Sequence, residues 1–173
     1  MVETAIVIVL FLTLIFAIIE FSFALLRWGQ AIEATRAGVR FAIVNDPVYP
    51  DLFADLSCPG GTAVVADCGD AGAGIDCGPA YDPEKWPAEG DGVLARMQRV
   101  LSSVEASNIR VTYACTDAGY MERPLPVPSV TVEITGLQHT LIVPTLLGFD
   151  ATWTVPRYAS TRTGEDLHTV VPP

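Results

Sequence analysis

The sequence predicts an α+β protein in which one long N-terminal helix is packed by a small antiparallel β-sheet head domain. Three observations lead to this fold class. An apolar run extends from Thr4 to Leu26, several runs rich in β-branched residues lie in the second half of the chain, and four cysteines point to a disulfide-tied loop. We therefore expect two parts, a hydrophobic and then amphipathic helix over residues 1–45 and a globular head over residues 46–173.

The N-terminal helix is predicted to cross a membrane and to continue beyond it. Within the apolar run the only charged residue is Glu20, and a run of this length spans the ~30 Å hydrocarbon layer of a bilayer. Residues 27–44 contain no proline and combine an apolar stripe with a polar face, which is typical of an amphipathic helix in water. Because Pro47 disfavours helical backbone at Asp46, the helix should end there. Its length would be ~65 Å at ~1.5 Å per residue.

The head is predicted to contain a loop, one helix and three strands. Residues 46–90 are rich in proline and glycine and show no sustained period, so we interpret them as loop. Asp91 can cap a helix whose apolar residues recur every three or four positions from Val93 to Val104. The strands are expected at Ile109–Cys115, Val130–Thr135 and Phe149–Val155, and the first two should form a hairpin.

The remaining parts of the head carry weaker signals. The segment Leu137–Leu147 contains Pro144 and should form a short broken helix or a crossing at the sheet edge. His139 in this segment is expected to cap a turn or to face solvent. The tail Ser160–Pro173 is interpreted as a frayed terminus, or as a strand that adds to a neighbouring molecule. Packing of the sheet on the long helix should bury three side chains, namely Tyr113, Ile134 and Trp153.

The four cysteines are predicted to form two disulfides. Their positions contain no C-x-x-C pair, which zinc sites and redox motifs would require. An even number of cysteines beyond a membrane anchor instead favours an oxidising compartment. Every possible pairing ties Cys115 back to the loop, and the sequence leaves open which loop cysteine it takes. The cysteines are Cys58, Cys68, Cys77 and Cys115.

Charge and motif content argue against several classes of function. The formal net charge of −10 leaves no basic face for nucleic acid, and we interpret it as a solvated surface. No nucleophile motif, phosphate loop or metal-ligand cluster is recognisable, so we predict neither an enzyme nor a cofactor. Asp67, Asp70 and Asp76 do not follow the order of an EF-hand loop and are expected to form turns.

The orientation of the predicted span receives two opposing signals. Arg27, Arg36 and Arg40 all follow the apolar run, which by the positive-inside rule would place the head in the cytoplasm. The cysteines favour the opposite side. Both signals agree if residue 1 is a processed N-terminus from which a basic leader has been removed, and this is our expectation.

Two carboxylates and one small-residue stretch of the helix form a recognisable pattern. Glu3 precedes the apolar run, Glu20 stands before Phe21 inside it, and the stretch ATRAGVRFA follows at residues 34–42. In this order the residues resemble the start of TadE-like proteins, the pilin-like subunits of tight-adherence (Tad/Flp, type IVc) pilus systems. A looser resemblance covers residues 128–160.

The resemblance implies roles for particular residues. In pilin filaments the N-terminal carboxylate binds the free α-amino group of a neighbouring subunit, so Glu3 and the amine of Met1 are expected to set the axial register. For Glu20 three interpretations stay open: it snorkels to the interface, pairs with Arg27, or marks a helix–helix contact. Small residues should allow close helix approach, and the candidates are Ala5, Ala17, Ala24 and Gly29.

The function implied is that of a structural subunit of an extracellular Tad filament, which assembles by packing of N-terminal helices and adheres through its head. The expected partners are further copies or related pilins, the bacterial inner membrane before assembly, and the pilus secretion machinery. The alternative is a single-pass ectodomain, or a pilus-assembly factor, that binds partners without polymerising.

Overall fold

The computed structural model describes residues 2–50, 52, 63–70, 74–85, 90–116, 127–146, 148 and 151–164. The helices are α1 (Val2–Ala42), α2 (Val93–Gln98) and α3 (Ile142–Leu146). The strands are β1 (Val64–Asp67), β2 (Ile109–Cys115), β3 (Pro128–Ile134), β4 (Gln138–Thr140), β5 (Thr152–Thr154) and β6 (Tyr158–Thr163). This arrangement confirms the predicted α+β class with its long N-terminal helix and small antiparallel sheet.

Helix α1 is continuous from its apolar first part into its amphipathic second part, as predicted. Ala31 is the first residue of α1 to be fully buried by the rest of the chain. The helix ends beside Asn45, whose side-chain N–H and backbone N–H both donate to the Phe41 carbonyl, at 2.8 and 3.2 Å. Because these bonds satisfy a carbonyl that the helix itself leaves free, the chain can turn away before Pro47.

The main sheet is antiparallel with strand order β1-β2-β3-β6. Strands β2 and β3 form the predicted hairpin, in which Ile109 lies opposite Ile134 and Tyr113 opposite Val130. Alternate residues of both strands are buried, as expected when one face of a sheet covers a core. That face packs on the second part of α1, as does α2.

The core between sheet and helix is closely packed. Tyr113 and Ile134 are buried as predicted, and the Tyr113 hydroxyl accepts a hydrogen bond of 3.1 Å from the Val48 backbone N–H. At Gly38 a Cβ atom would lie 2.8 Å from the Met97 sulfur and 3.3 Å from Val132 Cγ1. Gly38 therefore lets α1 approach both α2 and the sheet.

Strands β1 and β6 correct two sequence predictions. The loop expected over residues 46–90 contains the four-residue strand β1. Only Ala66 of this strand is fully buried, so the sequence shows no alternation of apolar and polar residues long enough to reveal it. Arg110 anchors β1 because it donates to its register partner Asp67 at 2.7 Å. The tail predicted from Ser160 onward is a strand as far as Thr163, where it pairs with β3; residues 165–173 lie outside the described part.

The region predicted as a strand over Phe149–Val155 is only partly correct. Strand β5 forms a separate two-stranded ribbon with β4 rather than joining the main sheet. Trp153 of this ribbon is 52% exposed, so the prediction that it is buried was wrong. The predicted broken helix at Leu137–Leu147 is resolved into β4 followed by the short helix α3.

Helix α2 also differs from its prediction. Gly92 occupies the N-cap position in place of Asp91. Asp91 accepts from the Gly92 N–H at 3.0 Å and forms an ion pair with Arg96. The helix ends at Gln98, whose side-chain N–H donates to the Val104 carbonyl at 2.8 Å and holds the following turns in a non-helical path.

The head contains a disulfide in the loop region. Cys68, directly after β1, is joined to Cys77, with the two Cα atoms 5.7 Å apart. Cys115 at the end of β2 is also in a disulfide, and Cys58 lies outside the described residues. The bond between Cys68 and Cys77 selects one pairing from those that the sequence left open.

Candidate functional site on the N-terminal helix

The part of α1 before Glu20 is an apolar surface that the other described residues leave largely uncovered. A window of this helix has a mean hydropathy of 2.8 and no buried residue. Its large hydrophobic side chains from Ile6 to Trp28 are 42–65% exposed, except for the half-buried Ile15. By length and composition the helix can cross a membrane. Such a surface requires either lipid or other apolar helices around it.

Glu3 lies in the first turn of this uncovered part. Its side chain is exposed and makes no hydrogen bond or ion pair with the described residues. A carboxylate at this place is favoured by the positive end of the helix dipole, but in an apolar environment it also calls for a cationic partner. The α-amino group predicted as that partner belongs to Met1, which lies outside the described residues.

The four small residues predicted to pack against other helices do not share one face. Ala17 and Ala24 lie seven residues apart and so project to the same side of the helix. That side continues into the stripe that meets the head, and Ala24 is half-buried there. Ala5 and Gly29 lie on other faces, and the space around Gly29 is open.

Glu20 binds the head of its own chain. One carboxylate oxygen accepts a hydrogen bond from the Val143 backbone N–H, at the start of α3. The other oxygen is buried and has no partner among the described residues. Glu20 therefore joins the apolar part of α1 to the part of the head nearest the membrane span, a contact between residues distant in sequence that no sequence pattern indicated.

A cavity of about 180 Å³ lies between α1 and the β4–β5 ribbon, one turn beyond Glu20. We call it the junction cavity. The rings of Trp28 and Tyr158, 6.1 Å apart, stand side by side in its wall. Its lining residues are Phe21, Ala24, Leu25, Arg27, Trp28, His139, Trp153, Val155, Pro156 and Tyr158.

His139 corrects a further prediction. It was expected at a solvated turn, but it lies in β4, is only 3% exposed and lines the junction cavity. Both of its ring nitrogens are buried without a hydrogen-bond partner in the described part of the chain. Buried polar groups are rarely left in this state, so the imidazole is a candidate for contact with something that the chain alone does not supply.

The aspartates considered for a calcium site have structural contacts. Asp67 pairs with Arg110 across the sheet edge, and this ion pair raises the pKa of the Arg110 guanidinium. Asp76 accepts from the Gly78 N–H at 2.9 Å, which is the turn chemistry predicted for it. Among the described residues no group of three or more His, Cys, Asp or Glu could hold a metal ion.

The uncovered helix, the α+β head and the disulfide together define a membrane-anchored, pilin-like protein. The family model described as TadE-like protein matches residues 1–40, which is almost the whole of α1. Over its N-terminal helix the chain is thus similar to TadE-like proteins of the Tad pilus system. No curated protein and no solved structure matches the chain.

Proposed function

We propose that the chain is a structural subunit of the Tad pilus filament. One observation carries this proposal: the described residues leave the apolar part of α1 before Glu20 largely uncovered, yet this part is continuous with the half that forms the core of the head. In the bilayer, lipid surrounds this surface. In a filament, the same surface packs against the helices of neighbouring subunits.

The disulfides support a head outside the cytoplasm. The bond between Cys68 and Cys77, and the disulfide state of Cys115, persist only in an oxidising compartment. Before assembly the span formed by α1 therefore holds the head on the outer side of the bacterial inner membrane. After assembly the heads form the outer surface of the filament, where adhesion would take place.

Filament formation exchanges lipid contacts for helix–helix contacts. Lipid tails are as apolar as leucine side chains, so the gain comes from close packing and from polar contacts rather than from the hydrophobic effect. Glu3 supplies the polar contact when its carboxylate forms an ion pair with a cationic group of a neighbouring subunit. This ion pair fixes the axial register between the two subunits. Repetition of one head-to-tail contact gives an open helical filament.

Shearing of pilus-producing cells tests this proposal. We expect the wild-type chain in the sheared filaments, and we expect Glu3→Gln to reduce its amount there about tenfold while its amount in the membrane stays normal. Asp46→Asn is the matched control, because it removes an exposed carboxylate just after α1.

The possible outcomes separate the parts of the proposal. A wild-type chain that stays wholly in the membrane fraction would contradict the subunit role and favour a tethered ectodomain or an assembly factor. Equal incorporation of the wild type and the Glu3 variant would remove the register role of Glu3 but would leave the subunit role intact.

A further inference from the structure

We propose that the junction cavity binds one phospholipid of the outer leaflet, with an acyl chain in the cavity and the phosphate on Arg27. The proposal goes beyond the filament role, because it concerns the chain while α1 lies in a bilayer.

The cavity lies at the depth where acyl chains meet headgroups. A span of ~20 residues crosses the hydrocarbon layer, so a span that starts near Glu3 ends near Ser22. Phe21 and Leu25 in the cavity wall are then at the edge of the hydrocarbon. Arg27 lies ~8 Å beyond Ser22 along the axis, at ~1.5 Å per residue, and so reaches the headgroup region.

Aromatic side chains mark the same level. Trp28 and Trp153 both line the cavity and are 51% and 52% exposed. Half-exposed tryptophans are typical of the membrane interface, where the ring is buried and its N–H remains hydrated. Ile142 of α3, which lies between the two strands of the ribbon, is 46% exposed. These side chains on the membrane side of the head indicate that it rests on the bilayer surface.

The walls and the volume fit part of an acyl chain. All but a few of the lining residues are apolar or aromatic. The volume of about 180 Å³ has room for about six water-sized groups. A complete ligand of drug size needs more, about 300 Å³ at least. The cavity therefore accommodates a segment of a molecule whose remainder lies outside, as a lipid at the interface does.

Two polar groups at the cavity lack partners. Arg27 makes no hydrogen bond or ion pair with any described residue, and its guanidinium can bind phosphate oxygens through two parallel N–H donors. His139 is buried with both nitrogens unpaired, and an ester carbonyl of the lipid would accept a hydrogen bond from the ring nitrogen that carries the proton. Arg27 and His139 line the same cavity, so one bound lipid can reach both.

Lipid binding by the full chain provides the test. The chain is purified in mild detergent, stripped of lipid and titrated with 1-palmitoyl-2-oleoyl-phosphatidylglycerol, and bound lipid is counted by native mass spectrometry. We expect one lipid per chain. Arg27→Gln should weaken binding about tenfold, whereas Arg40→Gln, an exposed arginine further along the same helix, should leave it unchanged. Glycerol 3-phosphate, which has the phosphate without the chains, should not bind.

His139→Phe supplies a second and independent readout. Phenylalanine removes two unsatisfied nitrogens, so the lipid-free variant should be at least as stable to heat as the wild type, while its affinity for the lipid falls severalfold. A variant that only disturbed packing would lose both stability and binding.

Four results would overturn the proposal. They are the absence of retained lipid, equal losses in the Arg27 and Arg40 variants, binding of glycerol 3-phosphate as strong as that of the lipid, and capture of a second copy of the chain in place of lipid. None of them depends on filament formation, so failure of this proposal is separate from failure of the subunit role.

Discussion

At the scale of single residues, Tyr113 shows how one polar atom is placed in an apolar core. Its ring fills the space between sheet and helix, and its hydroxyl satisfies the Val48 N–H, which follows the turn after α1. This bond ties the end of the long helix to the middle of the sheet. Because the surroundings exclude water, neither partner can be replaced by solvent.

We predict that Tyr113→Phe lowers the free energy of unfolding by about 1–3 kcal/mol at neutral pH, because it leaves the Val48 N–H buried without an acceptor. Denaturant unfolding of the full chain in detergent measures this difference. An unchanged midpoint would show that the hydrogen bond contributes nothing net.

Burial of Tyr113 should also make the free energy of unfolding depend on pH. Burial raises the pKa of Tyr113 from 10.0 to about 12, although the bond from Val48 lowers it slightly. Between these values the unfolded chain loses the phenolic proton while the folded chain keeps it. Stability is therefore fully present below pH 10 and falls as the pH rises toward 12, by roughly 3 kcal/mol in total.

Tyr113→Phe should remove this part of the alkaline loss. Tyr158 should contribute a smaller loss of the same sign in both proteins, since burial also raises its pKa. Parallel stability curves for the wild type and the variant above pH 10 would contradict the assignment to Tyr113.

At the scale of elements, Glu20 connects the membrane span to α3. We predict that Glu20→Ala accelerates hydrogen exchange of the Val143 amide about fivefold, which corresponds to the ~1 kcal/mol of a lost helix cap. Glu20→Gln keeps a carbonyl oxygen as acceptor and should retain most of the protection. Equal exchange in all three proteins would show that the contact does not hold α3 against α1.

The elements also show what the sequence could and could not predict. The long helix and the β2–β3 hairpin were predicted because each has a sustained period, and both are confirmed. Strands β1 and β4 were not, and β5 was predicted as a strand of the wrong sheet, since strands of three or four residues carry no period of their own and depend on their partners. The exposure of Trp153 follows from the same cause, because its ribbon stands outside the main sheet.

The candidate site was predictable only in part. Glu3 and Glu20 could be recognised from the sequence because charged residues are rare in or beside a membrane-spanning apolar run. The contact of Glu20 with Val143 joins residues far apart in the chain. The position of His139 against α1 likewise depends on the path of the ribbon, so the junction cavity could not be seen before the fold was known.

At the scale of the whole molecule, the two halves of α1 have different requirements. One half is satisfied by its own head, and the other exposes apolar side chains from Ile6 to Leu26. A subunit of this kind is complete only in lipid or in an assembly. We expect the helices of neighbouring subunits to cover the apolar half of α1 in the assembled filament.

The most direct measurement places a photo-crosslinking amino acid at Phe11, in the uncovered part of α1, and at the exposed Ser102 of the head as a control. Cells are irradiated after pili have formed, and the sheared filaments are analysed. We predict abundant adducts from position 11 to pilus subunits and few from position 102. Adducts from position 11 to lipid alone, in chains that never leave the membrane, would contradict it.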